Sequence, residues 1–300
     1  MSQQLTISRG DAQVENLLKV LKRPDQLPQV PEFRIAAYNV YNLFGEASER
    51  PPKERQLEAL GEMIISLNAD AIAFEEVENE EVLSHLFADQ VNPKLREEER
   101  YTAFVWVPGN DRRGINVALA TRLSVRGTLS FHDREFGPSD AGAVKFSRDL
   151  LGVEINATPD YKFLFFVSHL KSKIGGERAE EKRRMEAHEI RSILAEPAFG
   201  GKPFVEQDMV LAGDMNDDPD SRVIDVFVGD GVLEDVLSTV EPNTTFPTRG
   251  KWPRTRLDYL FASPSIAPRI EDQKIHRDGP VADASDHYPV SVTVRVPRRP

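Results

Sequence analysis

The chain contains no cysteine in its 300 residues. That excludes disulfides, thiolate metal sites and a cysteine nucleophile, although it does not by itself fix a compartment. Long apolar runs are missing too. No segment approaches the ~18 residues that a membrane-spanning helix needs, and the N-terminal MSQQLTISRGDAQVENLL has no apolar core of signal-peptide length. The expectation is a soluble, cytoplasmic protein with no membrane partner. Basic charge is in short supply, with 38 Lys and Arg against 49 Asp and Glu for a formal charge of −11. Such a balance argues against coating nucleic acid by bulk charge. It leaves room for a local basic groove, and it suits a protein that gathers carboxylates for metal ions. Internal repeats and low-complexity tracts are absent as well.

What remains is an ordinary globular composition, 29% charged and 40% apolar, long enough to bury a sizeable core. Residues 11–22 carry Val14, Leu17, Leu18 and Leu21 at helical spacing, and the Pro-rich RPDQLPQVP follows. Residues 1–32 therefore read as a helix and lead-in, and 33–297 as the folded domain. Strand-like runs fall at 33–40, 70–77, 102–107, 115–120, 150–156, 162–168, 209–212, 257–262 and 290–296. Helical patterns fall at 53–67, where Leu57, Leu60, Ile64 and Leu67 share a face, at 80–88 and at 177–195. The strands are mostly apolar on both faces. Two packed sheets with helices outside would bury them.

The stretch GDMNDDPDS, residues 213–221, follows directly on the apolar run Met209-Val210-Leu211-Ala212. Asp218-Pro219 predicts a helix start, with Asp218 as the cap, Pro219 at the first helical position and Asp220 in the first turn. Asp217 reads as solvated. Asp214 and Asn216 have weaker structural explanations. They stand two apart, so they point the same way in an extended segment, at the exit of a buried strand where α/β proteins gather site residues.

The other polar breaks in apolar strands obey the same rule. Asn39 ends FRIAAYNV, Glu75 and Glu76 end DAIAF, His169 ends KFLFFVS, Asp258 sits in RLDYLF, and Asp286 and His287 precede YPVSVTV. Burying such groups is costly unless they are paired or bind metal. Their number points to one shared site.

The segments YNVYNLF, FEEVEN, RGINVALA, SHLKSK, GDMNDDPDS, RLDYLF and SDHYPV, in that order, resemble the endonuclease/exonuclease/phosphatase superfamily, the pancreatic deoxyribonuclease-like metal-dependent phosphoesterases. Each motif alone is weak; the ordered set covers about residues 33–297. The resemblance implies a four-layer α/β sandwich of two mixed β-sheets flanked by helices. It implies Mg²⁺ or Mn²⁺ as cofactor, with Glu76 as the primary ligand and Asn39 and Asp286 on the metal side. It implies that His169 contacts the scissile phosphate and that Asp214 and Asn216 orient the attacking water. It makes His287 the catalytic histidine, hydrogen-bonded by Asp258, and leaves open whether Asp214 or His287 is the base. Three positions depart from the family pattern. Glu75 replaces a common Gln, Met215 in GDMN replaces Phe as a packing swap, and Asn116 in RGIN stands where many relatives carry Asp.

The same residue types suit phosphoester hydrolysis, which needs an in-line water, charge relief on the phosphoryl oxygens and help for the leaving group. Lys171, Lys173, Asn116 and Arg113 are the expected substrate contacts. Arg112, Arg249, Lys251, Arg254 and Arg256 are expected to extend them into a basic rim. Asn79 reads as a helix cap ahead of Glu80 and Glu81. The run GERAEEKRRMEAHE reads as a solvated helix face with pairs such as Glu180–Arg184. The leading expectation is a divalent-metal-dependent phosphodiester hydrolase, a nuclease cleaving DNA or RNA backbone. The alternative is a phosphodiesterase or phosphatase acting on a small phosphorylated molecule or a lipid headgroup. A non-catalytic binding module would have lost some of Glu76, Asp214, Asn216, Asp258 and His287, and none is lost.

Overall fold

A computed structural model of the chain describes residues 32–137, 143–197 and 201–297. The expected helix over 11–22 and its connector lie outside the described residues. The main elements run β1 (Glu32–Leu43), α1 (Glu54–Leu67), β2 (Ala71–Val77), α2 (Glu80–Leu86), β3 (Ala103–Trp106), β4 (Asn116–Thr121) and β5 (Ser124–Ser130). There follow the short pair β6 (Glu135–Phe136) and β7 (Val144–Lys145), then β8 (Leu150–Thr158), β9 (Tyr161–Ser168), α3 (Gly176–Leu194), β10 (Met209–Asp214) and α4 (Arg222–Val228). The chain ends through β11 (Glu234–Asp235), β12 (Asp258–Ala262), β13 (Ile270–Ile275), α5 (Val281–Ala284) and β14 (Val290–Arg295).

Two six-stranded sheets form, ordered β13-β14-β1-β2-β4-β3 and β5-β8-β9-β10-β12-β11. Each has a single parallel pair at its centre, β1 with β2 and β9 with β10, and antiparallel neighbours on both sides. A helix, α1 or α3, makes each parallel crossover, as parallel strands require. The halves thus share one plan that no sequence repeat announces. This is the sandwich of two mixed sheets flanked by helices that the sequence predicts.

The alternation along β1 shows why the strands are apolar on both faces. Phe33, Ile35 and Ala37 face the core between the sheets, with Val153, Phe165, Val210 and Leu260 opposite. Ala36, Tyr38 and Val40 face α1, whose Leu60, Met63, Ile64 and Leu67 are buried against them. The outer face of the second sheet packs in the same way on α3 and α4 through Phe166, Leu211, Phe261, Ile190 and Phe227. Met215 is fully buried in this last cluster, a packing role.

Several local expectations need correction. The cap of α4 is Ser221, whose side chain accepts from the Ile224 N–H at 3.2 Å, so the cap lies three residues beyond Asp218. Asp218 instead binds Lys173 and Thr255, an attraction from outside the segment that outweighs its capping tendency. Asp217 is buried, with Oδ2 3.1 Å from Nε of Arg183. On α3 the exposed pair is Glu181 with Arg184, 2.8 Å apart at i,i+3 spacing. Asn79 does cap α2, its Oδ1 accepting from the Val82 N–H at 2.9 Å.

Candidate active site

The two parallel pairs end side by side, and the polar residues lie just there. Open α/β sheets place ligands beyond the carboxyl ends of their parallel strands, because loops diverge at that point. Asn39 stands where the β1–β2 ladder breaks, and Glu76 comes from the end of β2. His169 and Asp214 come from the ends of β9 and β10, Asp258 opens β12, and Asp286 and His287 lead into β14.

The backbone is bent to serve this arrangement. Glu76 sits at φ 66°, where the register between β2 and β4 shifts. A positive φ on a side chain of this size is an outlier that neighbouring structure must hold. It is held by Asn42, whose N–H donates to Glu76 Oε2 at 3.0 Å. Gly213 has φ 133°, and a Cβ there would stand 2.0 Å from the Ser168 carbonyl oxygen. Only glycine lets β9 and β10 approach so closely just before Asp214.

Asp214 is the hub. Its Oδ1 accepts from the Asn216 N–H at 2.8 Å, and its Oδ2 accepts from Asn39 Nδ2 at 3.2 Å. The same Oδ2 lies 3.4 Å from His169 Nε2 and 3.8 Å from His287 Nε2. Asp258 faces Asp214 across the β10–β12 pair, and both are buried. Like charges so placed repel, and His287 bridges them, its Nδ1 2.9 Å from Asp258 Oδ2. Thr245 steadies Asp258 by accepting its N–H at 3.1 Å. Ser285 Oγ accepts the His287 N–H at 3.1 Å and donates to the Asn39 carbonyl at 2.6 Å, which fixes the lead into β14 against β1 of the same sheet beneath the site.

The electrostatics follow from this crowding. Burial pushes the Asp214 carboxyl up to about 7, with Asp258 and Glu76 adding to the rise against His287. Burial raises Asp286 also, helped by Glu76 and Asp258. For His287 burial acts downward, but Asp258 and Asp214 outweigh it and hold the imidazole well above its ordinary range. His169 is driven well below its own by burial, then by Arg148 and His287. Glu75 is fully buried between the sheets without a hydrogen-bond partner, and burial raises it well above the usual carboxylate range.

Over these groups lies an open cavity of about 600 Å³, lined by Glu76, Arg113, Arg148, His169, Lys173, Asp214, Asn216, Asp286 and His287 among others. A second cavity of about 900 Å³ adjoins it and shares Tyr41, Asn42 and Arg113 with it. The cation expectations divide here. Arg113 lines both cavities; Lys173 lines the first but is paired to Asp217 and Asp218. Lys171 is absent from both linings, and its N–H donates to Glu186 at 2.8 Å. Arg256 is buried on Asp235 and the Tyr259 ring, so it is not part of a rim. Asn116 is buried beside the cleft, where its amide binds the Gly109 N–H and the carbonyls of Glu78 and Gly114.

Sequence reading missed Arg148. It is 2% exposed, lines the cavity, donates from Nη1 to the Leu170 carbonyl at 2.9 Å and stands 2.9 Å from Asp111. The signal was available, because Arg148-Asp149 precede β8 just as Asp286-His287 precede β14. It also missed the buried side of α3. Glu186 accepts the N–H groups of Ser147 and Lys171 at 2.7 and 2.8 Å. Arg183 binds Asp217 and the carbonyls of Lys171 and Ser172. Together they fix the loops that carry Arg148, His169 and Asn216.

The donor set suits a hard divalent cation. Glu76, Asp286 and the Asn39 amide offer oxygen, and the buried acids repel one another without a positive ion. Among the described residues no group of three or more His, Asp or Glu side chains is placed to hold a metal ion.

The profile of the endonuclease/exonuclease/phosphatase family matches residues 50–229. A search of curated proteins found no match. Among solved structures, an endonuclease/exonuclease/phosphatase protein from Beutenbergia cavernae aligns at 17% identity and TM-score 0.63, covering 89% of this chain and 72% of its own. The human Nocturnin catalytic domain with bound sulfate aligns at 17% identity and TM-score 0.62, covering 89% and 94%. A mannosyl-6-phosphatase from Bacteroides thetaiotaomicron aligns at 21% identity and TM-score 0.59, covering 87% and 98%. At these identities the likeness establishes the fold.

Proposed function

The chain belongs to the endonuclease/exonuclease/phosphatase family, and from that premise we propose that it is a divalent-metal-dependent phosphodiesterase cleaving nucleic-acid backbone. The observation that carries this reading is the meeting of Glu76, His169, Asp214, Asn216, Asp286 and His287 in one open cavity with Arg113 and Arg148 on its wall. Such a constellation has acids for a cation, donors for phosphoryl oxygens and two groups able to move a proton.

Glu76, Asn39 and Asp286 would hold the cation, which supplies charge relief on the phosphoryl oxygens. Asp214, with its pKa near neutrality and its carboxylate oriented by Asn216 and Asn39, takes the proton of the attacking water. His287, held by Asp258 and kept protonated, stands against the phosphate and stabilises its developing charge. His169, kept neutral, offers a single N–H, and Arg148 adds a buried positive charge behind it. Asn216 presents its site face through a left-handed backbone at φ 53°.

A second reading, hydrolysis of a small phosphorylated molecule, is supported by the mannosyl-6-phosphatase neighbour and by the net acidic charge. One experiment separates the two. Product release is measured from single-stranded DNA, RNA, plasmid and a sugar phosphate, each with and without chelator. Chelator-sensitive cleavage of polynucleotide is the expected result. Full turnover in excess EDTA after metal stripping would overturn the metal dependence. A sugar phosphate turned over far faster than any polynucleotide would transfer the reading to small substrates.

A further inference from the structure

Among the described residues the large hydrophobic side chains left exposed are Tyr41 at 42%, Ile174 at 79% and Trp252 at 69%. All three line the cavity over Asp214 and His287. A solitary exposed apolar side chain needs no explanation. Three that fall on the wall of one polar cavity do, because they stay wet in the free protein and gain only when something apolar enters.

Tyr41 is presented under strain. Its φ is 53°, a left-handed conformation that bulky residues avoid. Both of its backbone groups are held by side chains. Its N–H donates to Asn39 Oδ1 at 3.1 Å, and its carbonyl accepts from Gln56 Nε2 at 3.1 Å. The backbone that carries the ring is thereby fixed relative to Asn39 and Glu76, on the wall that the two cavities share. Backbone strain retained beside a site is a pointer to use. Trp252 stands in RGKWPR, where Arg249, Lys251 and Arg254 flank it and are exposed. Arg254 lines the first cavity with Trp252, and Arg249 lines the second with Arg50.

Aromatic faces interleaved with cations along a groove are the arrangement that binds single strands. The cations track phosphates, and the rings stack on bases without regard to their identity. Resting on the phosphodiesterase reading above, we propose that this cleft takes single-stranded nucleic acid, with unpaired bases beside the scissile phosphate stacked on Trp252 and Tyr41. A duplex has its base faces already covered by neighbouring pairs and offers these rings nothing. Stacking also supplies what charge does not: on a chain of net charge −11, backbone attraction alone is weak and is lost to salt. A bilayer is the poorer partner. The three side chains line a cavity that also bears Glu76, Asp214 and Asp286, acids that an anionic lipid surface would repel.

The test compares three substrates of one length and end label: a single strand, its duplex, and a strand whose bases around the cleaved bond are replaced by abasic residues with the phosphates kept. The wild type is expected to show a lower KM for the single strand than for the duplex. Trp252→Ala is expected to raise the single-strand KM at least about fivefold, with Trp252→Tyr restoring most of it. On the abasic strand the wild type and Trp252→Ala should converge. Since Trp252 is exposed, the variant keeps its fold. An equal rise in KM on the abasic strand, or equal wild-type KM for strand and duplex, overturns the stacking proposal while leaving the phosphodiesterase reading intact. Failure of the wild type to cut any polynucleotide overturns that reading first. Loss of binding to anionic phospholipid vesicles in Trp252→Ala, with oligonucleotide KM unchanged, assigns the rings to a membrane and overturns the proposal as well.

Discussion

His287 meets Asp258 with one nitrogen and both carboxylate oxygens: Nδ1 lies 2.9 Å from Oδ2 and 3.1 Å from Oδ1. The contact leaves Nε2 aimed at Asp214, 3.8 Å away. A ring so held has its orientation and its proton count set by a buried charge. The Phe246 ring, with its centroid 5.0 Å from that of His287, closes one side of it.

Replacing His287 by Ala is expected to lower kcat by at least ~10², the lower end of acid–base and positioning effects. Asp258→Asn should lower it less, since the imidazole keeps its place and loses only its charge partner. Single-turnover rates, with circular dichroism as a check on folding, decide it; a wild-type rate for His287→Ala removes the ring from the mechanism.

Magnesium should stabilise the protein in a pH-dependent way. Burial keeps the Asp214 and Asp286 carboxyls raised, the first to about 7. A cation competes with the protons on these acids. The rise in Tm on adding Mg²⁺ is therefore expected to be larger at pH 8 than at pH 5.5, and Glu76→Gln should diminish it at pH 8. Equal shifts at both pH values would contradict the placement of the ion among these acids.

Arg148 should matter to substrate more than its place in the sequence announces. Arg148→Ala is expected to lower kcat/KM by roughly tenfold to hundredfold, the range of a lost charge-assisted hydrogen bond. Arg148→Lys should recover only part of it, because a lysine lacks the fork that reaches both Leu170 and Asp111. Initial-rate kinetics on one oligonucleotide suffice.

Arg183 and Asp217 are both nearly inaccessible. Arg183→Ala leaves the Asp217 carboxylate with the half-exposed Lys173, 3.5 Å away, as its remaining cation and frees the carbonyls of Lys171 and Ser172. The expected cost is about 3–5 kcal/mol, the range for removing one partner of a buried ion pair. Urea unfolding at constant m-value measures it; a cost under ~1 kcal/mol would mean that water reaches the pair.

His276 gives a pH signature away from the site. Burial lowers its pKa from 6.5 to about 4, assisted by Arg34 and Lys274, and its Nε2 lies 2.8 Å from Ser291 Oγ. Between those values the unfolded chain binds a proton that the native chain does not. Its contribution is therefore present above pH 6.5 and lost as the pH falls towards 4. The urea midpoint of His276→Gln should decline less than that of the wild type between pH 7 and pH 4.5.

The sequence disclosed the sandwich because apolar strands of this kind must be covered on both faces, and because polar residues at their ends have few reasons to be there. That rule led to Asn39, Glu76, His169, Asp214, Asp258 and His287, which the fold brings to one place. It was applied too narrowly at Arg148, whose lead into β8 was passed over. The charged helix α3 misled for a different reason. Arg183 and Glu186 sit in a run made up mostly of charged residues, and their partners, Asp217 and the Ser147 N–H, are 34 and 39 residues away. Helical periodicity reports which face a residue occupies, not whether that face meets a loop that needs it. Two of the expected cations escaped the reading for the same reason, since Lys173 and Arg256 found acids from other segments.

The matched plan of the two sheets makes the proposed active site a property of a seam. Asn39, Glu76, Asp286 and His287 arrive with one sheet, and His169, Asp214, Asn216 and Asp258 with the other. Neither half owns a working set, and the contacts that complete it, Asn39 to Asp214 and His287 to Asp258, all cross between halves. A slippage of one layer over the other would part these contacts while leaving every strand in place. Turnover should therefore fail at lower urea than far-ultraviolet dichroism does, and the gap between the two midpoints would gauge how firmly the layers are clasped.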